Sequence, residues 1–252
     1  MSLFFNEVVY RPIYNFLIFT YNIIPFHDFG IAIIIVTIIL KLILVPLSRK
    51  QIESQKKMQE IQPKIKAIQE KYKGNKEKQT KAMMDFYKEN KTNPFSGCLP
   101  TIFQLVFLIA IYRVLFNISN SNLLVDPKEL YSFISNPGQI NQYFLGIIDL
   151  ANKVDLGHIN LRVVPQLILI VLAAAAQYFQ IKMISPKMNK DNKKDNSDIS
   201  QVMSKQMMYL GPLLTLFIGI KFPAGLALYW LISTVFAIIQ QAKILEKQEN
   251  NT

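Results

Sequence analysis

The sequence predicts an all-α polytopic membrane protein: five transmembrane helices around a polar groove, a cytoplasmic helical hairpin and an N-terminal interfacial helix. Three observations predict it. Hydrophobic residues make up 51% of the 252 although the net charge is +11, a pairing common in membrane proteins and rare in soluble domains. The apolar residues are gathered into runs near the roughly 20 residues that a bilayer core requires. Inside one of these runs, from Ile31 to Leu47, stands Lys41. A lysine at a helix centre costs roughly 2.5–3.5 kcal/mol on insertion scales and so marks a polar cavity. The alternative is snorkelling, but Lys41 lies seven residues before Ser48, roughly 10 Å along a helix against a lysine stem of about 6 Å.

The elements follow in chain order. Residues 1–28 read as an interfacial helix on the outer leaflet, because Pro12, Glu7, Arg11 and scattered asparagines weaken an insertion signal. If this segment spanned instead, every side assignment below would invert. It carries an acid before its first base and no Ala-x-Ala-like site, so it does not read as a cleavable signal peptide. Spans are expected at residues 29–47, 98–116 and 163–184. The stretch from Met207 to Gln240 would make about 50 Å of helix against a core of about 30 Å, so it must turn back on itself. Lys221-Phe222-Pro223 is the corner: a charge is costly in the bilayer and proline ends the helix before it. The last two spans are therefore 207–220 and 224–241, followed by a cytoplasmic tail at 242–252.

Charge sets the orientation. From Arg49 to Lys91 there are 13 Lys or Arg against 6 acids, and from Lys182 to Lys205 there are 6 against 3. The segment from Asn117 to Arg162 has 3 bases against 4 acids, and Met1 to Phe29 has 1 against 2. The positive-inside rule puts the hairpin 48–92 and the loop 185–206 in the cytoplasm, the loop 117–162 and the N-terminus outside, and the C-terminus inside. Fixing topology accounts for the basic loops by itself; an anionic inner leaflet or ribosomal RNA would suit them equally. Within the hairpin, Met58, Ile61, Ile65, Ile68 and Tyr72 recur at spacings of three and four, with a bend allowed at Pro63. Gly74-Asn75 interrupts the pattern, and Lys76 to Glu89 resumes it with Met83, Met84, Phe86 and Tyr87. The stripe serves either an interaction or gating surface or the pairing of the two helices with each other.

Chemistry is sparse. The sequence has no Gly-rich phosphate loop, no His-Glu-x-x-His and no Gly-x-Ser-x-Gly. One cysteine, Cys98, allows no intramolecular disulfide, and His27 and His158 lack metal-ligand spacing. No enzyme activity, cofactor or metal is expected. The expected spans contain no aspartate or glutamate, which leaves paired-acid hydrolysis and a carboxylate proton relay without their groups. Their polar residues are few. Thr37 lies one turn before Lys41 on the same face, and Gln104 and Tyr112 lie two turns apart on the second span. Gln177 and Gln180 sit late in the third, and Trp230 in the fifth, about seven residues from Pro223 and deep for an interfacial anchor. Gln104 and Tyr112 read equally as groove lining and as inter-helix bonding. Gln180 reads as interfacial, and Arg113 as snorkelling outward. One cation among neutral polar groups makes a wet cavity suited to an acidic guest. That cavity alone would also serve a small anion channel or transporter, or stand idle in a ribosome-tethering scaffold, although no internal repeat of the transporter kind is present.

Four motifs add a resemblance. They are Val36 to Leu47 with Ile61-Gln62-Pro63-Lys64-Ile65, Asn93 to Pro100, Phe222 to Trp230, and Ile238-Ile239-Gln240-Gln241. In this order, from about Phe29 to Ile244, they resemble the YidC family of membrane protein insertases, with its mitochondrial oxidase-assembly and thylakoid albino-type relatives. The resemblance implies five helices enclosing a groove closed to the outside and open to the cytoplasm and laterally to lipid. It also implies a monomeric insertase and chaperone in the cytoplasmic membrane of a bacterium. Nascent membrane proteins and the phospholipid bilayer would be its partners, with the Sec translocon and the ribosome as further candidates. Lys41 falls where the family carries a basic residue, usually arginine, that attracts the acidic outer segment of a substrate. Thr37, Gln104, Tyr112, Gln177 and Trp230 fall near its groove or substrate-contact surface. Lysine in place of arginine gives up the planar five-donor fork for a point charge. Neither the large outer domain, the lipoprotein signal nor the long basic tail of some relatives is matched, so ribosome contact would rest on the two basic loops.

Overall fold

The computed structural model of the chain describes residues 3–90, 92, 99–157, 161–184 and 199–249. Cys98, His158, most of the Asn93 to Pro100 motif and most of the expected loop 185–206 lie outside the described residues. The regular structure of the described residues is helical apart from one small hairpin, as the sequence predicts, and the described part of residues 121–163 is mainly turns and irregular chain. The elements are α1 Leu3–Phe5, a π-helical turn Asn6–Tyr10, α2 Arg11–Ile23, a 3-10 turn Pro25–His27, α3 Phe29–Ile43, α4 Val45–Lys71, α5 Lys76–Glu89 and α6 Leu99–Asn120. Strands β1 Tyr143–Phe144 and β2 Ile148–Asp149 follow, then α7 Val164–Ile184, α8 Ile199–Lys221 and α9 Ala224–Glu249.

In α2, Pro12 occupies the first turn, where its missing N–H costs nothing. Ile13, Tyr14, Leu17, Ile18 and Tyr21 form a one-sided apolar stripe and are buried against α3 and α6. Asp28 caps α3 by accepting the Ile31 N–H at 3.0 Å. The first expected span ends at Leu47, yet α3 stops at Ile43 and the chain bends by 66° into α4. Pro46 is the cause: it cannot donate to the carbonyl of Leu42, and its ring collides with that group, so the break precedes the proline. By contrast α4 runs uninterrupted through Pro63. Gly74, at φ +97°, turns the chain, and the Asn75 side chain caps α5. The α4 stripe is spent on the partner helix: Ile61 and Ile65 are buried, and Gln79 Nε2 donates to the Gln69 carbonyl at 2.7 Å.

Helix α9 is central and packs on α3, α4, α6, α7 and α8. Its first two turns, including Ala224, Leu226, Ala227, Leu228, Tyr229 and Trp230, are buried. Helix α8 ends at Lys221 and α9 begins at Ala224, so the corner falls at the expected Phe222-Pro223. Small residues let α8 approach α7. A Cβ on Gly219 would stand 2.7 Å from Ile170 Cγ2, and one on Gly211 would stand 2.8 Å from Ile181 Cδ1. Helices α7 and α9 are each long and apolar enough to cross a membrane, and the bent α3–α4 pair makes a third candidate. Gln104–Asn120 of α6 and Met208–Lys221 of α8 are shorter apolar helices. Their outward faces carry exposed Ile39, Leu42, Leu105, Ile168, Leu172, Leu213, Phe217 and Ile239, a surface suited to lipid rather than water.

The segment between α6 and α7 folds over one end of the bundle, held by side chains of α2. Tyr14 OH accepts the Asp126 N–H at 2.9 Å, Tyr21 OH accepts the Asn141 N–H at 2.8 Å, and Asn15 bonds both the Glu129 carbonyl and the Tyr131 N–H. The β1–β2 hairpin, absent from the sequence-based expectation of a plain loop, turns through Leu145 and Gly146, both at positive φ. Its far end covers α9: the N–H groups of Ala224 and Gly225 donate to the carbonyls of Asn152 and Leu150. These are donors that the first turn of a helix leaves without partners.

Candidate substrate groove

Lys41, in the last turn of α3, reaches across to α6. Among the described residues α3 and α6 do not pack closely backbone to backbone, and each leans on α9. The gap between them is bridged by side chains. Lys41 Nζ donates to Gln104 Oε1 at 2.9 Å, and the same oxygen accepts from Ser233 Oγ at 3.1 Å. Gln104 Nε2 donates to Tyr229 OH at 3.3 Å. Gln104 is therefore the hub of a four-residue network from three helices. Tyr229 and Ser233 are buried while Lys41 and Gln104 are half-buried, so the network has a closed side formed by α9 and an open side formed by the ammonium.

The hydrogen-bond partner of that ammonium among the described residues, Gln104, is neutral. Among the described residues no carboxylate pairs with Lys41, and the ion pairs Glu7–Arg11 and Arg49–Glu53 both lie on exposed helix faces. A neutral amide oxygen orients an ammonium without cancelling its charge. An anion arriving within 4 Å would gain about 4 kcal/mol at an effective dielectric constant near 20.

Of the six residues expected in the groove, the structure joins two directly. Trp230 is buried beside Tyr229 on α9. Thr37 is buried and donates to its own helix at the Ile33 carbonyl, 2.6 Å away, so its hydroxyl does not reach toward Lys41. Tyr112 stands in an aromatic cluster at the α8–α9 corner, edge-on to Phe222 with ring centroids 4.9 Å apart. Gln177 forms a separate polar contact with Thr215, whose hydroxyl also donates to the Gly211 carbonyl; this pair ties α7 to α8. Arg113 lies over the Tyr10 ring at 4.7 Å and donates to Asn6.

Tyr229, Ser233 and Gln240 are the residues that sequence reasoning missed. Their signal was available: at about 100° per residue they fall within about 40° of one another, a polar stripe along the mainly apolar stretch from Ala224 to Gln240. The stripe ends at the α3–α4 corner, where Gln240 Nε2 donates to Ser48 Oγ at 2.6 Å and to the Val45 carbonyl at 3.4 Å. The Val45 carbonyl also accepts from Ser48 Oγ at 3.1 Å. The polar seam thus runs along α9 from Tyr229 to Gln240 and faces α6, α3 and the start of α4.

Comparison with known proteins then decides the family. The sequence model of the 60Kd inner membrane protein family matches residues 19–251. The chain belongs to that family. It is 33% identical over 241 residues to the membrane protein insertase YidC of Fusobacterium nucleatum, covering 95% of this chain and 98% of that protein. It is 32% identical over 219 residues to the YidC of Geotalea daltonii and 32% identical over 224 residues to that of Streptomyces avermitilis. These alignments cover 86% of this chain in both cases but only 34% and 51% of the respective relatives. The chain thus spans nearly the whole of one relative and a third to a half of the others. As a member of the YidC family it is a multi-pass membrane protein, and these relatives are bacterial.

Proposed function

We propose that the chain is a membrane protein insertase that takes the acidic or polar outer segment of a nascent membrane protein into a groove between α3, α6 and α9. The substrate's transmembrane helix is released sideways to lipid. Family membership supports the insertase activity. The observation that carries the groove is the Lys41 ammonium, held in an apolar helix by Gln104 and by no carboxylate among the described residues. No covalent bond is made or broken: the rate gain comes from lowering the desolvation cost of the crossing segment, whose charge meets a positive site half-way.

The reading uses five spans with the N-terminus outside and the C-terminus inside, which the loop charges favour. The α4–α5 hairpin then stands in the cytoplasm, its basic surface available to anionic lipid or to a ribosome, while the lid formed by α2 and the α6–α7 segment closes the outer end. The fourth span expected from the sequence, residues 207–220, extends only about 21 Å at 1.5 Å per residue, against a core of about 30 Å. That mismatch favours a locally thinned bilayer beside the groove. Reconstitution into liposomes tests the proposal. Insertion of a small acidic-tailed membrane protein without accompanying ion flux is expected. Lys41→Arg should be active and Lys41→Ala impaired for acidic tails alone. Ion flux without insertion, or full activity of Lys41→Ala on acidic tails, would overturn it.

A further inference from the structure

Two apolar tips stand side by side where α3 begins. Phe26, in the turn before the helix, is 93% exposed and holds φ +67°. Leu145, at the tip of the β1–β2 hairpin, is 63% exposed at φ +53°, and Ile147 beyond it is 61% exposed. Left-handed backbone is unfavourable for residues with bulky side chains, and neither Phe26 nor Leu145 recovers the strain by packing.

Asp28 makes them neighbours. Its Oδ1 accepts the Ile31 N–H at 3.0 Å and its Oδ2 accepts the Leu145 N–H at 2.6 Å, so one carboxylate both caps α3 and fixes the hairpin tip to it. Phe144 presses over Gly30, where a Cβ would stand 2.3 Å from the ring, so the missing side chain at position 30 is what lets the hairpin lie this close to α3. The tips are thereby held level with the first turn of an apolar helix. Neither Ile23 to His27 nor Tyr143 to Ile147 contains Lys, Arg, Asp or Glu. An exposed ridge on α2, Phe19 and Ile23, leads into Phe26.

We propose that Phe26, Leu145 and Ile147 form an interfacial anchor that inserts into the headgroup–acyl boundary of the leaflet where α3 begins and so sets the depth of α3, and with it of Lys41, in the bilayer. Lipid is the fitting occupant. The patch is continuous with the start of a membrane helix and free of formal charge, and three side chains fall far short of the roughly 20–30 residues a side of a stable protein interface. Large apolar side chains presented at a membrane boundary bind in proportion to the apolar area they bury there.

The test uses the full chain with its one cysteine, Cys98, replaced by serine and a single cysteine placed at position 26, 145 or 147. Each is labelled with an environment-sensitive fluorophore in phosphatidylcholine–phosphatidylglycerol vesicles. A label at Asn136, an exposed polar position of the same outer segment, is the reference. Blue-shifted emission at all three positions is expected, with loss of intensity from shallow nitroxide lipids exceeding that from mid-chain nitroxide lipids, and no change at position 136. Labels that match the Asn136 reference would overturn the anchor, as would labels that are blue-shifted yet untouched by nitroxide lipid, the signature of a protein partner. Depth is read without regard to the side on which α3 begins, so failure here is distinguishable from failure of the proposed orientation.

Discussion

Gln104→Glu puts the groove hypothesis under the most informative stress, because it changes one atom's charge at the hub of the network. The Gln104 Oε1 lies 2.9 Å from Lys41 Nζ and 3.1 Å from Ser233 Oγ, so a glutamate at the same place makes an internal ion pair without new geometry. At that separation and an effective dielectric constant near 20 the attraction is about 6 kcal/mol, and desolvation of the new carboxylate offsets several kcal/mol of it. A net pairing of about 2 kcal/mol remains for an incoming carboxylate to displace, roughly a thirtyfold loss in apparent affinity at 1.4 kcal/mol per decade. Substrates with neutral outer segments make no use of the charge and should be unaffected. The assay is protease protection of the inserted outer segment in proteoliposomes, run with matched acidic-tailed and neutral-tailed substrates over a range of substrate concentrations. Gln104→Leu serves as the companion, since it removes the acceptor while leaving Lys41 charged, and should keep the preference for acidic tails. Wild-type insertion of acidic tails by Gln104→Glu would refute the reasoning.

Three further outcomes are expected. Gln240→Leu removes the bonds to Ser48 Oγ and the Val45 carbonyl, about 1–2 kcal/mol of restraint at the α3–α4 corner; spin-label distances between α4 and α9 should broaden, and an unchanged distribution would show that the clamp is idle. Gly219→Ala drives a Cβ to 2.7 Å from Ile170 and should destabilise the α7–α8 pair by roughly 1–3 kcal/mol despite alanine's better helix propensity. Its check is thermal unfolding in detergent, where a raised midpoint would contradict the packing. Burial pushes the phenols of Tyr10 and Tyr14 above their ordinary value of 10.0. The sign follows: a raised folded-state value favours the neutral form, so this contribution to stability is intact below about pH 10 and is lost as pH rises through the higher folded values. Ultraviolet titration should show these two tyrosines ionising together with the unfolding of the lid formed by α2 and the α6–α7 segment, whereas ionisation near pH 10 in the folded protein would contradict their burial.

Lys41 was legible in the sequence because a charge in an apolar run has no cheap explanation, and the α8–α9 corner because 34 residues from Met207 to Gln240 cannot fit one crossing. The position of the first helix end was legible too, though it was read too late in the chain. Proline acts on the carbonyl four residues before it, so Pro46 ends α3 at Ile43 rather than completing a span at Leu47. Gln104 reads in the sequence equally as lining and as bonding; in the structure its amide bonds Tyr229 and Ser233 of α9, and the oxygen that accepts from Ser233 also accepts from Lys41. Tyr229 and Ser233 went unread because a tyrosine and a serine are unremarked singly in an apolar helix; only their common stripe with Gln240 carries information. The lid over the end of the bundle was beyond local pattern altogether, since it is held by side chains of α2 reaching backbone groups more than a hundred residues away, as from Tyr14 to Asp126 and from Tyr21 to Asn141.

The central claim is that the charge at position 41 meets an opposite charge on the substrate. A reciprocal swap measures this: insertion by wild type and by Lys41→Glu, each with a substrate whose outer segment carries aspartates and with one in which those aspartates are lysines. The account predicts a crossed pattern, in which Lys41→Glu loses the acidic substrate and gains on the basic one relative to wild type. If Lys41→Glu impairs both substrates equally, or wild type inserts both alike, the groove does not select by charge and the account fails.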